Sequence, residues 1–373
     1  MNKYFKIIFS LAVIVTLFSC AKDDDNPISK PRDYTEQYAK DIDSIDKFID
    51  THSMTVDANY NVTFTKITAE SPPGTLNIRD EYEDELQFKT VTNEAHGVDY
   101  KLYYIVLNEG STEGKHPTIV DSVHVSYRGV ETIEGTQFDY APNPRWFKLD
   151  ELGVAAWGEI FPYFRTGIYD PELGQNPGPN PVTFSDYGAG VMFVPSGMGY
   201  YNSSEGTLAA YSNLVFSFKL YELNYRDHDG DGILSKDEVP LDADFLYDPQ
   251  DYNSDLNFPI GNGDEIPNYF DVDDDNDRVL TKNEIKYSYM DGVVKKTRQY
   301  PFNGAATDNP STPWDETRGI PRAFTGPLMP VIIPPSTTPI MLPSPGPGDF
   351  TDPNRIRRHL DPNAKPPFYD QYQ

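Results

Sequence analysis

Cysteine is almost missing from this chain: Cys20 is the single one in 373 residues. No intramolecular disulfide can form, so the folded parts rely on core packing or bound ions. Basic residues are scarce too. Against 58 Asp and Glu stand 31 Lys and Arg, a formal net charge of −27. Phosphate backbones are held by clustered Lys and Arg, so nucleic acid is excluded as a partner. The apolar run at residues 7–18 (IIFSLAVIVTLF) is too short to cross a bilayer as a mature helix. With Lys3 and Lys6 before it, it reads as a secretory signal.

Other features are abundant. Pro (33) and Gly (26) are frequent, so much of the chain is expected in loops, while an apolar fraction of 38% suffices for a core. The length suits two domains. The acid is uneven: residues 227–284 hold 18 Asp and Glu against three Lys and Arg. A local excess of that size calls for a local cause, and bound cations supply one.

Leu17-Phe18-Ser19-Cys20 resembles a bacterial lipobox. The resemblance implies cleavage before Cys20 and a diacylglycerol on its sulfur, with membrane anchoring by two or more acyl chains. The acidic run that follows, Ala21 to Asn26, is either a solvated tether or similar to the surface-export signal of Bacteroidetes lipoproteins. The expected place is the bacterial cell envelope, as an outer-membrane lipoprotein.

The chain divides into a signal peptide (1–19), a tether (20–33), an N-terminal helix and strand extension (34–98), a central domain (99–224), an acidic segment (225–290) and a Pro-rich tail (291–373). Over 34–52, Tyr38, Ile42, Ile45, Phe48 and Ile49 recur at helical spacing. Pieces of 56–106 alternate as strands do. Val123, Val125 and Tyr127 share one face of a strand, and Gly129 to Gly135 marks a hairpin. Residues 151–166 read as a short helix that Pro162 breaks or kinks. Residues 168–181 form a loop; 191–194 and 214–220 read as strands. From residue 300 onward there are 16 prolines in 74 residues. They forbid a membrane helix there and suggest an extended or polyproline II segment, draped on the surface or disordered.

Between Asp121 and Leu223, aromatic residues recur at the ends of short strands beside one acid, Asp139. This stretch resembles the FKBP-type peptidyl-prolyl cis-trans isomerases along the full length of such a domain. The resemblance implies an α+β fold, an FKBP-like antiparallel sheet wrapped around a short helix. It implies isomerisation of X-Pro bonds in exported proteins, with proline-containing polypeptides as clients. It places Tyr127, Phe138, Phe147, Val154, Leu208 and Phe216 in the pocket wall, Asp139 near the substrate carbonyl, Trp157 as the floor and Tyr200 at the rim. The chain departs from the family at Ala156, Tyr201 and Ala209, where Gly, Gly and Pro are usual, and in having Arg145 only near the place of a paired Arg. A catalytically weak surface binding protein with the same fold is the alternative. A third reading, a calcium-dependent adhesion or glycan-uptake accessory, rests only on the acidic block, and no aromatic platform supports it.

Residues 227–238 fit a twelve-position calcium loop. Asp227, Asp229 and Asp231 fall at positions one, three and five, Gly232 at the sharp turn, Ile233 offers its carbonyl, Ser235 sits at nine, and Glu238 closes the loop. Oxygen ligands at this density suit Ca²⁺ rather than Zn²⁺. A second loop has Asp273, Asp275, Asp277, Val279, Thr281 and Glu284, with Arg278 where Gly is wanted; Asp271 is placed to join it. A strand precedes the first loop where an EF-hand has a helix, so the pair resembles thrombospondin type 3 or dockerin-like loops, and 262–271 a worn type 3 linker. The expected role of Ca²⁺ is structural.

Overall fold

Along the central strands, successive side chains enter two different cores, and this alternation explains the architecture. The computed structural model describes residues 30–169, 183–241, 243–255, 264–300, 308–312, 317–321, 324–352 and 355–372. The signal peptide, Cys20 and nearly all of the tether lie outside them, as do residues 170–181 of the expected loop.

The fold is mixed α/β, with antiparallel sheets and few helices. Helix α1 (Tyr34–Thr51) leads into the hairpin β1 (His52–Val56) and β2 (Val62–Lys66), and then a single turn, α2 (Ile78–Glu81). Next come β3 (Leu86–Asn93), β4 (Val98–Asn108), β5 (Ser122–Glu131) and β6 (Gln137–Lys148). Helix α3 (Ala156–Ile160) follows, then a two-residue pair β7 (Ile168–Tyr169) and β8 (Phe184–Ser185), then β9 (Gly188–Val194) and β10 (Leu214–Asn224). Six strands form one sheet in the order β3-β4-β9-β10-β5-β6, antiparallel at every pairing. The sheet therefore reaches back to Leu86.

Tyr103, Ile105, Val191, Phe193 and Val215 point to one side, where they meet Ile45, Phe48 and Ile49 of α1 together with Met54 and Val62. Their neighbours Tyr104, Met192, Val194, Phe216 and Phe218 point to the other, where they meet Trp157, Ile160, Phe161 and Phe164. Burial on both faces accounts for the nearly continuous apolar runs of β9 and β10. The expected helix over 151–166 is cut to the five residues of α3. Pro162 sits in the single 3₁₀ turn Phe161–Tyr163, where its missing N–H ends the α-helical ladder.

Beyond β10, two loops rich in 3₁₀ turns lead to α4 (Thr281–Glu284) and to a hairpin of β11 (Lys286–Asp291) and β12 (Val294–Gln299), which the sequence reading placed partly in the tail. The tail matches its expectation only in part. Over its described parts it is an extended, largely exposed hairpin at one point and buried at another: β13 (Leu328–Val331) pairs with β14 (Ile340–Pro343), whereas Arg357, Arg358 and His359 are each 2% exposed. The Arg357 guanidinium donates to the carbonyls of Asp237 (3.1 Å) and Val239 (2.5 Å). That of Arg358 donates to the carbonyl of Glu284 (3.2 Å) and to the Asp370 carboxylate (2.8 and 3.0 Å).

One buried acid ties the N-terminal helix to the central sheet. Asp41 is 1% exposed, and its Oδ2 accepts from the N–H (3.0 Å) and hydroxyl (2.6 Å) of Ser196. Gln37 donates to its Oδ1 at 2.6 Å. Removing the carboxylate strands buried donors, each costing roughly 1–3 kcal/mol. Asp41→Ala is expected to lower the urea midpoint at unchanged slope, by about 2–3 kcal/mol of stability. A midpoint equal to that of the parent chain would remove this anchor from the account.

Candidate functional site

Aromatic side chains from three strands converge on α3. Tyr127 comes from β5, Phe138 and Phe147 from β6, Phe216 from β10 and Trp157 from α3 itself. The Trp157 indole meets the rings of Tyr127, Phe147 and Phe216 edge-on at centroid distances of 5.1, 5.6 and 5.4 Å, and stacks on Phe161 at 5.1 Å. Phe138 meets Phe216 at 5.6 Å. Val154 and Leu208 are buried in the same cluster, and Tyr200 packs against it. All eight apolar residues named from the sequence are thus brought together; Phe161, which underlies the indole, was not among them.

Register explains the gathering. Tyr127 stands opposite Phe218, and Phe216 opposite Gly129, so both rings project to the α3 side. Gly129 is needed there: a Cβ would lie 2.7 Å from the Phe138 ring and 3.0 Å from that of Phe216. A register shift in β6 between the partners of Val125 and Tyr127 falls at Pro142 and Pro144, residues that cannot supply ladder donors.

The polar content is small. Tyr127 donates its hydroxyl to Oδ2 of the exposed Asp139 at 2.5 Å. Burial pushes the Tyr127 phenol well up, and the Asp139 bond adds to this. Tyr200 is raised by burial and then by the charge of Asp139. Both hydroxyls therefore stay protonated donors at neutral pH. Trp157 keeps 4% of its surface and its indole N–H is buried with no partner. Tyr127, Phe138, Phe147 and Tyr200 are half-buried and turn part of each ring outward. A groove of about 400 Å³ lies nearby, lined by Ser126, Arg128, Ser217 and Lys219 of the other sheet face and also by Tyr127 and Phe218.

The two acidic loops share four corresponding kinds of hydrogen bond. Asp227 accepts the N–H of Gly232 at 3.2 Å, and Asp273 that of Arg278 at 2.8 Å. Asp231 and Asp277 accept from Ile233 and Val279, each at 2.7 Å. Asp229 and Asp275 accept from Asp231 (3.1 Å) and Asp277 (3.2 Å). The hydroxyls of Ser235 and Thr281 accept the N–H of His228 (3.2 Å) and Asp274 (3.1 Å). Gly232 has φ +103° and Arg278 φ +77°, so Arg278 takes the glycine conformation at some backbone strain.

Carboxylate oxygens are left over. Asp229 Oδ2, Asp231 Oδ2, Asp275 Oδ2 and both oxygens of Glu238 and Glu284 are buried without a hydrogen bond. Asp277 Oδ2 faces Lys365 at 3.4 Å. Asp227, Asp229 and Asp231 can each present an oxygen to one point, as can Asp273, Asp275 and Asp277. Two features differ from the sequence reading. Asp231 and Glu238 are joined by Asp274, an acid of the second loop with no place in the ligand pattern. Asp271 does not join the second loop but groups with Asp255 and Asp264. Asp274 sits between two assigned ligands, so no spacing rule could have marked it.

His228 ties the first loop to the aromatic site. Its Nε2 lies 3.0 Å from Asp150 and its Nδ1 2.7 Å from the Ser235 hydroxyl. Burial lowers the His228 pKa, so the neutral ring donates from Nε2 to the carboxylate and accepts at Nδ1. Arg226 pairs with Asp150 and, at 3.0 Å, with Glu151. Both acids lie in the 3₁₀ turn Leu149–Glu151, a few residues before Trp157.

Burial and neighbouring acids hold Asp231 near 7, Asp229 and Asp275 near 8, Glu284 near 9 and Glu238 near 12. In the unfolded chain these groups titrate near 4. The folded chain thus keeps protons that the unfolded chain releases, and stability falls as pH rises. Melting in chelator is expected at progressively lower temperature from pH 5 to pH 8. A melting temperature that rises over that interval would contradict the burial of these acids.

Comparison with known proteins gives limited likeness. A protein-family model described as BamM C-terminal matches residues 228–314. No curated protein matches. Among solved structures, a peptidyl-prolyl cis-trans isomerase from Pseudomonas syringae pv. tomato is 16% identical with a TM-score of 0.29, covering 51% of this chain and 95% of that one. FkpA from Escherichia coli is 16% identical with a TM-score of 0.30, covering 60% and 74%. The three FKBP domains of wheat FKBP73 give 15%, 0.27, 37% and 51%.

Proposed function

We propose that the chain is a peptidyl-prolyl cis-trans isomerase, anchored in the cell envelope through lipid on Cys20 and acting on proline-containing segments of exported polypeptides. The observation that carries this reading is the aromatic cluster over Trp157 with the single Tyr127–Asp139 hydrogen bond at its edge. Rotation about an X-Pro bond crosses a barrier of about 18–20 kcal/mol, because the amide loses resonance when twisted. No nucleophile is required. The outward sides of Tyr127, Phe138, Phe147 and Tyr200 hold the proline ring above Trp157. Asp139 keeps the Tyr127 hydroxyl oriented at the edge of the apolar surface. The twisted amide is less polar across its C–N bond than either planar form, so a dry aromatic surface favours it differentially.

A protease-coupled assay on an X-Pro peptide tests this. The full chain is expected to exceed the uncatalysed rate, and Trp157→Leu to abolish the excess while near-UV circular dichroism confirms a packed core. Tyr127→Phe and Asp139→Ala are each expected to lower kcat/KM about tenfold, the loss of about 1.4 kcal/mol. The double variant falls little further, since both remove one hydrogen bond. A parent rate equal to buffer ends the catalytic reading.

One observation favours a second reading. Trp157 is 4% exposed, so its indole is largely covered by its neighbours. A surface binding protein with slow or no turnover would hold proline-containing peptides, seen as a change in tryptophan fluorescence, without accelerating isomerisation.

The two acidic loops we assign to structural Ca²⁺. The buried, unpaired oxygens of Asp229, Asp231, Glu238, Asp275 and Glu284 support this, since carboxyl oxygens without donors suit a hard cation. At a hundredfold excess over its dissociation constant, each bound ion adds about 2.7 kcal/mol. Calorimetric melting is expected to move up by several degrees when Ca²⁺ replaces chelator. An unchanged profile at millimolar Ca²⁺ would overturn the assignment.

A further inference from the structure

We infer that Asp255, Asp264 and Asp271 form a further divalent-cation site, separate from both twelve-position loops. Each of the three can offer one carboxylate oxygen, and these oxygens lie within 4.8 Å of one another. Asp255 is 3% exposed and Asp271 6%. Asp255 Oδ1 and Asp271 Oδ2 are buried with no hydrogen-bond partner.

The remaining oxygens are occupied and fix the geometry. Asp255 Oδ2 accepts from the N–H of Asp264 at 3.1 Å and from the side chain of Asn276 at 3.4 Å. Asp264 Oδ1 accepts from the N–H of Ile266 at 2.9 Å, and Asp271 Oδ1 from that of Asp273 at 2.9 Å. One oxygen of each acid is thus tethered, which leaves the other free to face the shared centre. The two tethered oxygens of Asp229 and Asp231 obey the same rule.

Among the described residues, no Lys, Arg or His side chain makes an ion pair with any of the three. Buried carboxylates facing one another repel and lose hydration, and a cation removes both costs. Three oxygens with no nitrogen or sulfur donor select a hard ion such as Ca²⁺ over Zn²⁺. The chain separations between the three acids do not fit the twelve-position pattern, so the site is visible only in three dimensions. It stands on its own carboxylates and does not depend on the assignment of the loops.

Equilibrium dialysis of the full chain against Ca²⁺, with the metal counted by atomic absorption, tests the site. The Asp255→Asn/Asp271→Asn variant is expected to hold one Ca²⁺ fewer per chain than the parent. Asp264→Asn alters an exposed acid and leaves the core untouched. It is expected to weaken one binding step about tenfold or more, the usual consequence of disturbing a metal's support, without changing the others. The Glu238→Gln/Glu284→Gln variant is expected to lose loop cations and keep this one. If loop variants change nothing while Asp264→Asn removes an ion, the loop assignment fails and this site stands. Parent and Asp264→Asn chains with identical counts and affinities overturn it.

Discussion

A carboxyl group shut away from water and from donors must be protonated or matched by positive charge. That constraint organises the C-terminal part of this molecule. Glu238, Asp274 and Glu284 are 1%, 1% and 0% exposed, and all six of their carboxyl oxygens lack hydrogen bonds. The tail supplies positive charge without taking the carboxylates. Arg357 and Arg358 use their guanidinium groups on the backbone carbonyls of Asp237, Val239 and Glu284, at the closing ends of the two loops. They neutralise the C-terminal carbonyls and leave the side-chain oxygens free. His359 lies 3.7 Å from Asp274. Burial and the two arginines push its pKa far down, so it stays neutral and makes no true ion pair. The six carboxyl oxygens at the centre of the cluster thus remain without donors, since the arginines at the rim bond backbone carbonyls and Asp370.

The same block is wired to the aromatic site through few but well-placed groups. Asp150 receives Arg226 and His228, while His228 also holds Ser235 inside the first loop. The turn carrying Asp150 is fixed at its start by the N–H of Leu149 donating to the carbonyl of Asp121 at 2.9 Å. Asp121 itself accepts from the N–H and hydroxyl of Thr118, both at 2.7 Å. Order in the first loop therefore bears on the segment that presents Val154 and Trp157. On the far side, α1 acts in the same way: Asp41 holds the Ser196 turn, from which the chain runs on to Tyr200. The site rests on a sheet whose two flanks are each fastened by a buried acid.

What could be read from the sequence followed from periodicity and local pattern. The apolar spacing of α1, the alternation of β5, the apolar run of β10 and the ligand spacing of the two loops are all short-range signals. The gathering of Tyr127, Phe138, Phe147, Trp157 and Phe216 was legible only because a family resemblance carried the long-range order. Where contacts join distant segments with no such pattern, the sequence was silent. Gln37 and Asp41 lie on the buried face of α1 but count as polar in any periodicity. Arg357, Arg358 and His359 carry no local pattern that marks them as buried, and their partners in the acidic loops lie more than seventy residues away. Asp274 looked like a spacer in an acidic run, and Asp271 like a companion of its nearest loop.

The departures from the family pattern gain a physical meaning from the backbone. Tyr201 stands where glycine is usual, and its φ is +47°, in the region glycine favours. A side chain there costs on the order of 1–3 kcal/mol and persists only when its surroundings over-determine it. They do: Tyr201 stacks on Tyr34 at 4.2 Å, meets Tyr211 edge-on at 5.1 Å, and donates its N–H to the Ser196 carbonyl at 2.9 Å. Tyr34 in turn stacks on His96 at 3.6 Å. The glycine backbone path is thus kept with a tyrosine, and the N-terminal helix is recruited to hold it. Arg278 repeats the logic in the second loop, where the bonds of Asp273 and Asp277 impose the turn. Substitution at these two positions leaves the chain path intact, because contacts around each turn hold it. The indole of Trp157 is held differently: Tyr127, Phe147 and Phe216 meet it edge-on and cover it, so its environment is set by the sheet and not by a strained turn.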